Sequence, residues 1–245
     1  MSQIADISLD WQEGKAVRRN GERTVTVEAE VADGYTARGI VDRATPWLDS
    51  LSWQPGYSYE IGGTVEESRV ANQSILAKIP IAALFVLVML ILEFNSFRKT
   101  LITLLTIPLA FIGVVSGLLV MRSYFGFMTF LGVISLSGIV INNAIVLLER
   151  ITIERHDNDY PAPEAIVRAA QRRFRPILLT AATTIAGMIP LYIGGGPMWK
   201  PMAVAIAFGL LFATVLTLGI VPVLYALFFR VDFSGFRFQY AEDAL

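Results

Sequence analysis

The sequence predicts an α-helical membrane protein, five transmembrane helices preceded by a small α/β head. Three observations predict it. Of the 245 residues 54% are hydrophobic and 17% charged, and the mean hydropathy is +0.56, too apolar for an ordinary soluble domain. Five apolar stretches follow one another from Ser74 onward, each near or above the roughly 20 residues that cross about 30 Å of hydrocarbon. The charge is also divided. Residues 1–70 carry twelve acids and seven bases and residues 71–245 nine acids and thirteen bases, so a formal net charge of −1 conceals an acidic head on a basic, apolar body.

The head, residues 1–73, reads as one strand–helix–strand unit. Arg23–Val31 alternates polar and apolar side chains with β-branched residues, the pattern of a half-buried strand, between the turn signals Asn20-Gly21 and Asp33-Gly34. Ile40, Val41, Ala44, Trp47, Leu48 and Leu51 then recur at helical spacing, with Pro46 set to delay or kink that helix. Pro55-Gly56 opens a second strand, Tyr57–Ile61, which Gly62-Gly63 ends. One such unit buries too little to be stable alone. It is expected to be half of a larger subdomain.

The five spans are Ile75–Leu92, Leu101–Met121, Phe125–Leu148, Pro176–Ile193 and Pro201–Phe229, with a polar loop over 149–175 and a tail over 231–245. The second holds Gly113-x-x-x-Gly117 and the fifth Ala205-x-x-x-Gly209-x-x-x-Ala213, spacings that let helix backbones approach closely. The third carries two adjacent amides, Asn142 and Asn143, past its middle. Ser135, Gly138, Asn142, Ile145 and Glu149 share one face at helical spacing, so that polar stripe is expected to be covered by other helices. Two readings fit the paired amides: hydrogen-bonding glue between helices, and a polar relay inside a transporter.

Lysine and arginine set the orientation. Arg98, Lys99, Arg150, Arg155, Arg168, Arg172, Arg173, Arg175, Arg230 and Arg237 fall on one side, and Arg122 and Lys200 in the short loops of the other. The ten-to-two bias places the C-terminus in the cytoplasm and, with five spans, the head outside. The head has no apolar signal of its own, so the chain is expected to be the C-terminal piece of a longer transporter or one product of a split gene. No basic patch interleaved with aromatics points to nucleic acid. There is no cysteine and a single histidine, His156, in a polar setting. No metal-ligand spacing, nucleophile elbow or phosphate loop suggests an enzyme; no metal or cofactor is expected.

The chain resembles the resistance-nodulation-division (RND) superfamily of efflux transporters, of the acriflavine-resistance type. In the head the resemblance rests on Arg19-Asn20-Gly21-x-Arg23-Thr24-Val25-Thr26-Val27 and on Gly62-Gly63 before Glu66-Glu67. In the membrane part it rests on Glu93-Phe94-x-Ser96-Phe97, Ile107-Pro108-Leu109, Gly138-x-x-x-Asn142-Asn143-Ala144-Ile145, Arg172-Arg173-Phe174-Arg175-Pro176-Ile177-Leu178-x-Thr180 and Val221-Pro222-Val223. These motifs run in order over nearly the whole chain. The resemblance implies the eighth to twelfth spans of a twelve-span permease, preceded by the closing part of a periplasmic porter subdomain. It also implies a multi-pass protein of the bacterial inner membrane, whose partners are the lipid bilayer, the N-terminal portion of the transporter, a homotrimer, a periplasmic adaptor and an outer-membrane channel.

By the same resemblance Asn142, Asn143, Thr180 and Arg173 match a proton-relay path; independently of it, Gly113, Gly117, Gly138 and Gly209 are expected helix-packing positions, as small residues on apolar spans. Asn142 departs from the pattern, because many multidrug members have a lysine there that pairs with carboxylates of a missing span. An amide supplies no such charge. The implied activity is proton-driven export of drugs or other amphiphilic compounds; the alternatives are a non-transporting RND-related scaffold and a truncated remnant. Without the family, Thr180 reads equally as a hydroxyl bonded to its own helix, and Arg173 as an interfacial anchor.

Overall fold

The computed structural model describes residues 16–32, 35–234 and 236. The chain divides into two compact units, residues 1–32 and 33–245. In the first, β1 (Arg18–Arg19) and β2 (Glu22–Arg23) pair antiparallel, Arg18 opposite Arg23 and Arg19 opposite Glu22. Asn20 and Gly21 join them at φ +52° and +89°, the two positive φ values that a tight hairpin turn demands. The strand expected over Arg23–Val31 stops at Arg23. Beyond it the backbone is irregular, and Val25 and Val27 are both 90% exposed. Alternation alone does not make a strand; the residues need a pairing edge and a face to bury against, and past the two-residue hairpin the described part of this unit offers residues 25–31 neither. The Asp33-Gly34 signal lies outside the described residues.

The second unit is helical. In α1 (Ala37–Ser50) the Thr36 hydroxyl caps the first turn, accepting from the Gly39 amide at 3.0 Å. Pro46 neither delays nor ends this helix, and none of its residues is buried. The second expected strand, Tyr57–Ile61, is absent as well, so the strand–helix–strand unit is not formed. Nor is there a break after residue 73. α2 (Thr64–Phe94) starts with Glu66 and Glu67 in its first turn and runs into the first apolar span without interruption; acids there suit the positive end of the helix dipole.

α2 and α3 (Phe97–Val120) are joined through Asn95 at φ +44° and Ser96. α4 (Phe127–His156) and α5 (Ala162–Gly194) are 30 and 33 residues long, well beyond the ~20 that cross a bilayer. The expected loop over 149–175 is therefore helix except at 157–161. Residues 162–175 alone extend α5 by about 21 Å at 1.5 Å per residue. α5 passes to α6 (Gly196–Phe228) through Gly195, with Gly196 at φ +70°, a backbone position that favours glycine. All five helices from α2 to α6 are long and apolar enough to cross a membrane.

α6 is the centre of the bundle and packs against α3, α4 and α5. One core layer joins Val114 and Leu118 of α3, Leu136 and Val140 of α4, Ala181 of α5, and Ala205 and Leu210 of α6. A second joins Ile102, Leu147, Ile151, Ala169, Val221 and Tyr225 at the other end. The α3–α6 seam is held by glycine. A methyl added to Gly113 would stand 2.5 Å from Phe212 Cβ and 2.8 Å from the Phe208 carbonyl oxygen, and one on Gly117 would overlap the Phe208 side chain. A methyl on Gly209 would meet Leu136 and lie 2.8 Å from Val114. Gly138 differs from these three, with nothing within 4 Å of the place a methyl would take.

Candidate functional site

α4 presents two different faces. Leu136, Val140, Ala144, Leu147 and Leu148 are buried in the bundle, whereas Ser135, Gly138, Asn142 and Glu149 are exposed and Asn143 is half-buried. The polar stripe is thus left uncovered by the described helices. Neither amide makes a side-chain hydrogen bond to another described residue. On α5, which packs against α4, Thr180 is exposed and its hydroxyl donates to the Ile177 carbonyl at 3.0 Å. Thr183 and Thr184 donate in turn to the Thr180 carbonyl at 2.9 and 2.8 Å. This hydroxyl therefore takes the fallback that any membrane threonine has, its own helix. Arg173 is half-buried, and its Nε is enclosed with no hydrogen-bond partner. No side-chain hydrogen bond joins these four residues to one another. They lie on two packed helices and leave polar groups on offer.

The most tightly bonded polar group lies elsewhere. Glu154, near the end of α4, is wholly buried. Its Oε1 accepts from Arg150 Nε at 2.8 Å and from Arg172 Nη1 at 2.8 Å, and Arg150 Nη2 stands 2.6 Å away. Its Oε2 accepts from Asn158 Nδ2 at 2.8 Å, and its backbone carbonyl from the Tyr160 amide at 3.2 Å. One carboxylate thus ties together the last turn of α4, the turn over 157–161 and the early part of α5. Beside it Arg168 bonds Glu164 at 2.7 Å and stacks over the Tyr160 ring at 4.3 Å. The i,i+4 pairs Arg150/Glu154 and Glu164/Arg168 were the available sequence signal for this cluster. No helical spacing anticipates the Arg172 contact, 18 residues further on.

The chain matches the AcrB/AcrD/AcrF family over residues 1–229. It is a member of that family. These RND efflux transporters include the nickel-cobalt-cadmium resistance protein NccA of Alcaligenes xylosoxydans xylosoxydans, which is 31% identical over 216 residues, 87% of this chain and 20% of the relative. The cobalt-zinc-cadmium resistance protein CzcA of Cupriavidus metallidurans is 30% identical over 236 residues, 95% of this chain and 22% of the relative. The multidrug resistance protein MdtC of Proteus mirabilis is 28% identical over 206 residues, 83% of this chain and 20% of the relative. A crystal structure of a heavy metal efflux pump superposes with a TM-score of 0.63 at 27% identity, over 78% of this chain and 19% of that one. This RND chain thus spans about a fifth of the length of the relatives it matches.

Proposed function

We propose that this chain forms the C-terminal membrane part of an RND efflux pump that exports its cargo by secondary active antiport, with proton influx as the drive. The observation that carries the reading is the bare polar face of α4. Ser135, Gly138, Asn142 and Glu149 are exposed although the opposite face is packed. Polar groups at bilayer depth are costly unless protein or water covers them. The missing spans of the permease are the natural cover, and Asn142, Asn143, Thr180 and Arg173 would then face them. Being an amide, Asn142 would hydrogen-bond a carboxylate on that cover without supplying charge. The head would lie in the periplasm and the C-terminus in the cytoplasm of an inner-membrane trimer, served by an adaptor and an outer-membrane channel.

Two cargo classes divide the relatives. NccA, CzcA and the heavy metal pump are named for metal cations, MdtC for drugs. The test is a complete transporter carrying this segment, expressed in a host stripped of related pumps and challenged with cadmium, cobalt and zinc salts and with amphiphilic drugs. Resistance to one class assigns the cargo. Asn142→Leu is expected to abolish that resistance at normal abundance, because it would leave a buried polar partner unsatisfied. Wild-type resistance in that variant removes Asn142 from the mechanism, and no resistance to any compound from the unaltered transporter counts against export.

A further inference from the structure

At one end of the bundle the start of α3 meets the ends of α4 and α6, and four cations collect there. Lys99 is half-buried in the first turn of α3, and its ammonium donates to Thr152 Oγ1 on α4 at 2.7 Å. The Thr152 hydroxyl itself donates to the Leu148 carbonyl at 3.0 Å, so this neutral group takes up one of three ammonium donors. The charged group acting on Lys99 is Arg155, of like sign, one turn further along α4. Arg98 lies over the Phe229 ring at 5.6 Å, and Arg230, exposed, is the next residue along the chain from Phe229. None of these four cations forms an ion pair with a described residue. Glu154, the buried carboxylate of this end, is already engaged by Arg150, Arg172 and Asn158.

A half-buried cation beside a like charge is unfavourable until an anion joins it. The surroundings say what kind of anion fits. Leu92 at the end of α2, Phe97 and Leu101 at the start of α3 and Leu227 at the end of α6 are 71%, 77%, 45% and 69% exposed. The cations therefore stand at the rim of an apolar collar, the height at which a headgroup meets its acyl chains. Basic pockets between membrane helices at this height suit acidic lipid headgroups. We propose that the junction of Lys99, Arg155, Arg98 and Arg230 binds the phosphate headgroup of an anionic phospholipid whose chains lie along the α2–α3 surface. This goes beyond export: it requires only that these helices cross a bilayer, and it holds whatever the cargo.

The test counts bound lipid by native mass spectrometry on the delipidated, purified protein titrated with phosphatidylglycerol or phosphatidylcholine in detergent. Wild type is expected to retain phosphatidylglycerol in preference to phosphatidylcholine. Lys99→Gln/Arg155→Gln is expected to lose about twenty-five-fold of that affinity, two charges at roughly fivefold each, while Lys99→Gln can still hydrogen-bond Thr152. Lys99→Arg/Arg155→Lys should retain binding. Arg175→Gln/Lys200→Gln removes the same charge elsewhere and should bind as wild type does. An equal loss in both charge-removed variants would mean diffuse surface attraction and overturn the proposal. So would equal retention of phosphatidylcholine, wild-type binding by Lys99→Gln/Arg155→Gln, or displacement of the lipid by millimolar inorganic phosphate, which would indicate a free-anion site.

Discussion

Truncation of Glu154 is the sharpest test of how the α4–α5 hairpin is held. Glu154→Ala removes an acceptor that is 0% exposed and leaves Arg150 and Arg172 facing each other across its place. Breaking one partner out of a buried ion pair costs about 3–5 kcal/mol. Here the two guanidinium groups keep side-chain exposures of 23% and 49%, so water recovers part of their solvation and the cost falls to about 2–3 kcal/mol. Glu154→Gln keeps the shape and one acceptor, which limits its cost to about 1–2 kcal/mol. At roughly 2–4 °C per kcal/mol for a chain of this size, Glu154→Ala should lower the melting temperature in detergent by about 5–10 °C. Replacing the triad together, Arg150→Met/Glu154→Leu/Arg172→Met, should recover most of that loss, since no charge is then left unpaired. A Glu154→Ala protein that melts within a degree of wild type would refute the reasoning, because the carboxylate would then bind the hairpin no better than water does.

Gly117→Ala and Gly113→Ala should each destabilise the bundle by about 1–3 kcal/mol through overpacking against Phe208 and Phe212. Gly138→Ala, with open space around it, should be neutral or gain up to about 1 kcal/mol from better helix propensity; thermal melts that reverse this order would discredit the seam. The chain has no cysteine, so single cysteines at Tyr57, Ser123, Asp157 and Met198 can report orientation through an impermeant thiol reagent applied from outside. Labelling is expected at 57, 123 and 198 with 157 protected, and the opposite pattern would invert the proposed orientation.

The spans were legible because hydropathy acts locally: any run as apolar as Ile75–Leu92 prefers lipid whatever its neighbours do. Their ends were not. α4 continues to His156 and α5 begins at Ala162 because ion pairs and hydrogen bonds around Glu154 hold helix outside the hydrocarbon, and hydropathy is blind to those. The Asn20-Gly21 turn was readable, since positive φ is a property of the two residues themselves. The strands were misread, because a strand exists only with a neighbour that the sequence window does not contain. Among the site residues, the amides of α4 announced themselves as polar groups in an apolar run. That their face would be bare followed only from seeing Val140 and Ala144 turned inward. Glu154 stayed hidden because its burial depends on Arg172 from the next helix.

The glycine seam between α3 and α6 has a mechanical consequence. Where Gly113 and Gly117 meet Phe208 and Phe212 there is no layer of flexible side chains to act as a bearing. A slip of even a fraction of a turn drives a side chain into main chain, so the two helices travel as a single beam. α2 is the opposite case, with only Leu90 buried along its whole length, so few of its side chains are locked against that beam. Among the described residues the α3–α6 pair is the rigid element, and the exposed surface of α2 and the bare face of α4 are where further protein can pack without disturbing it.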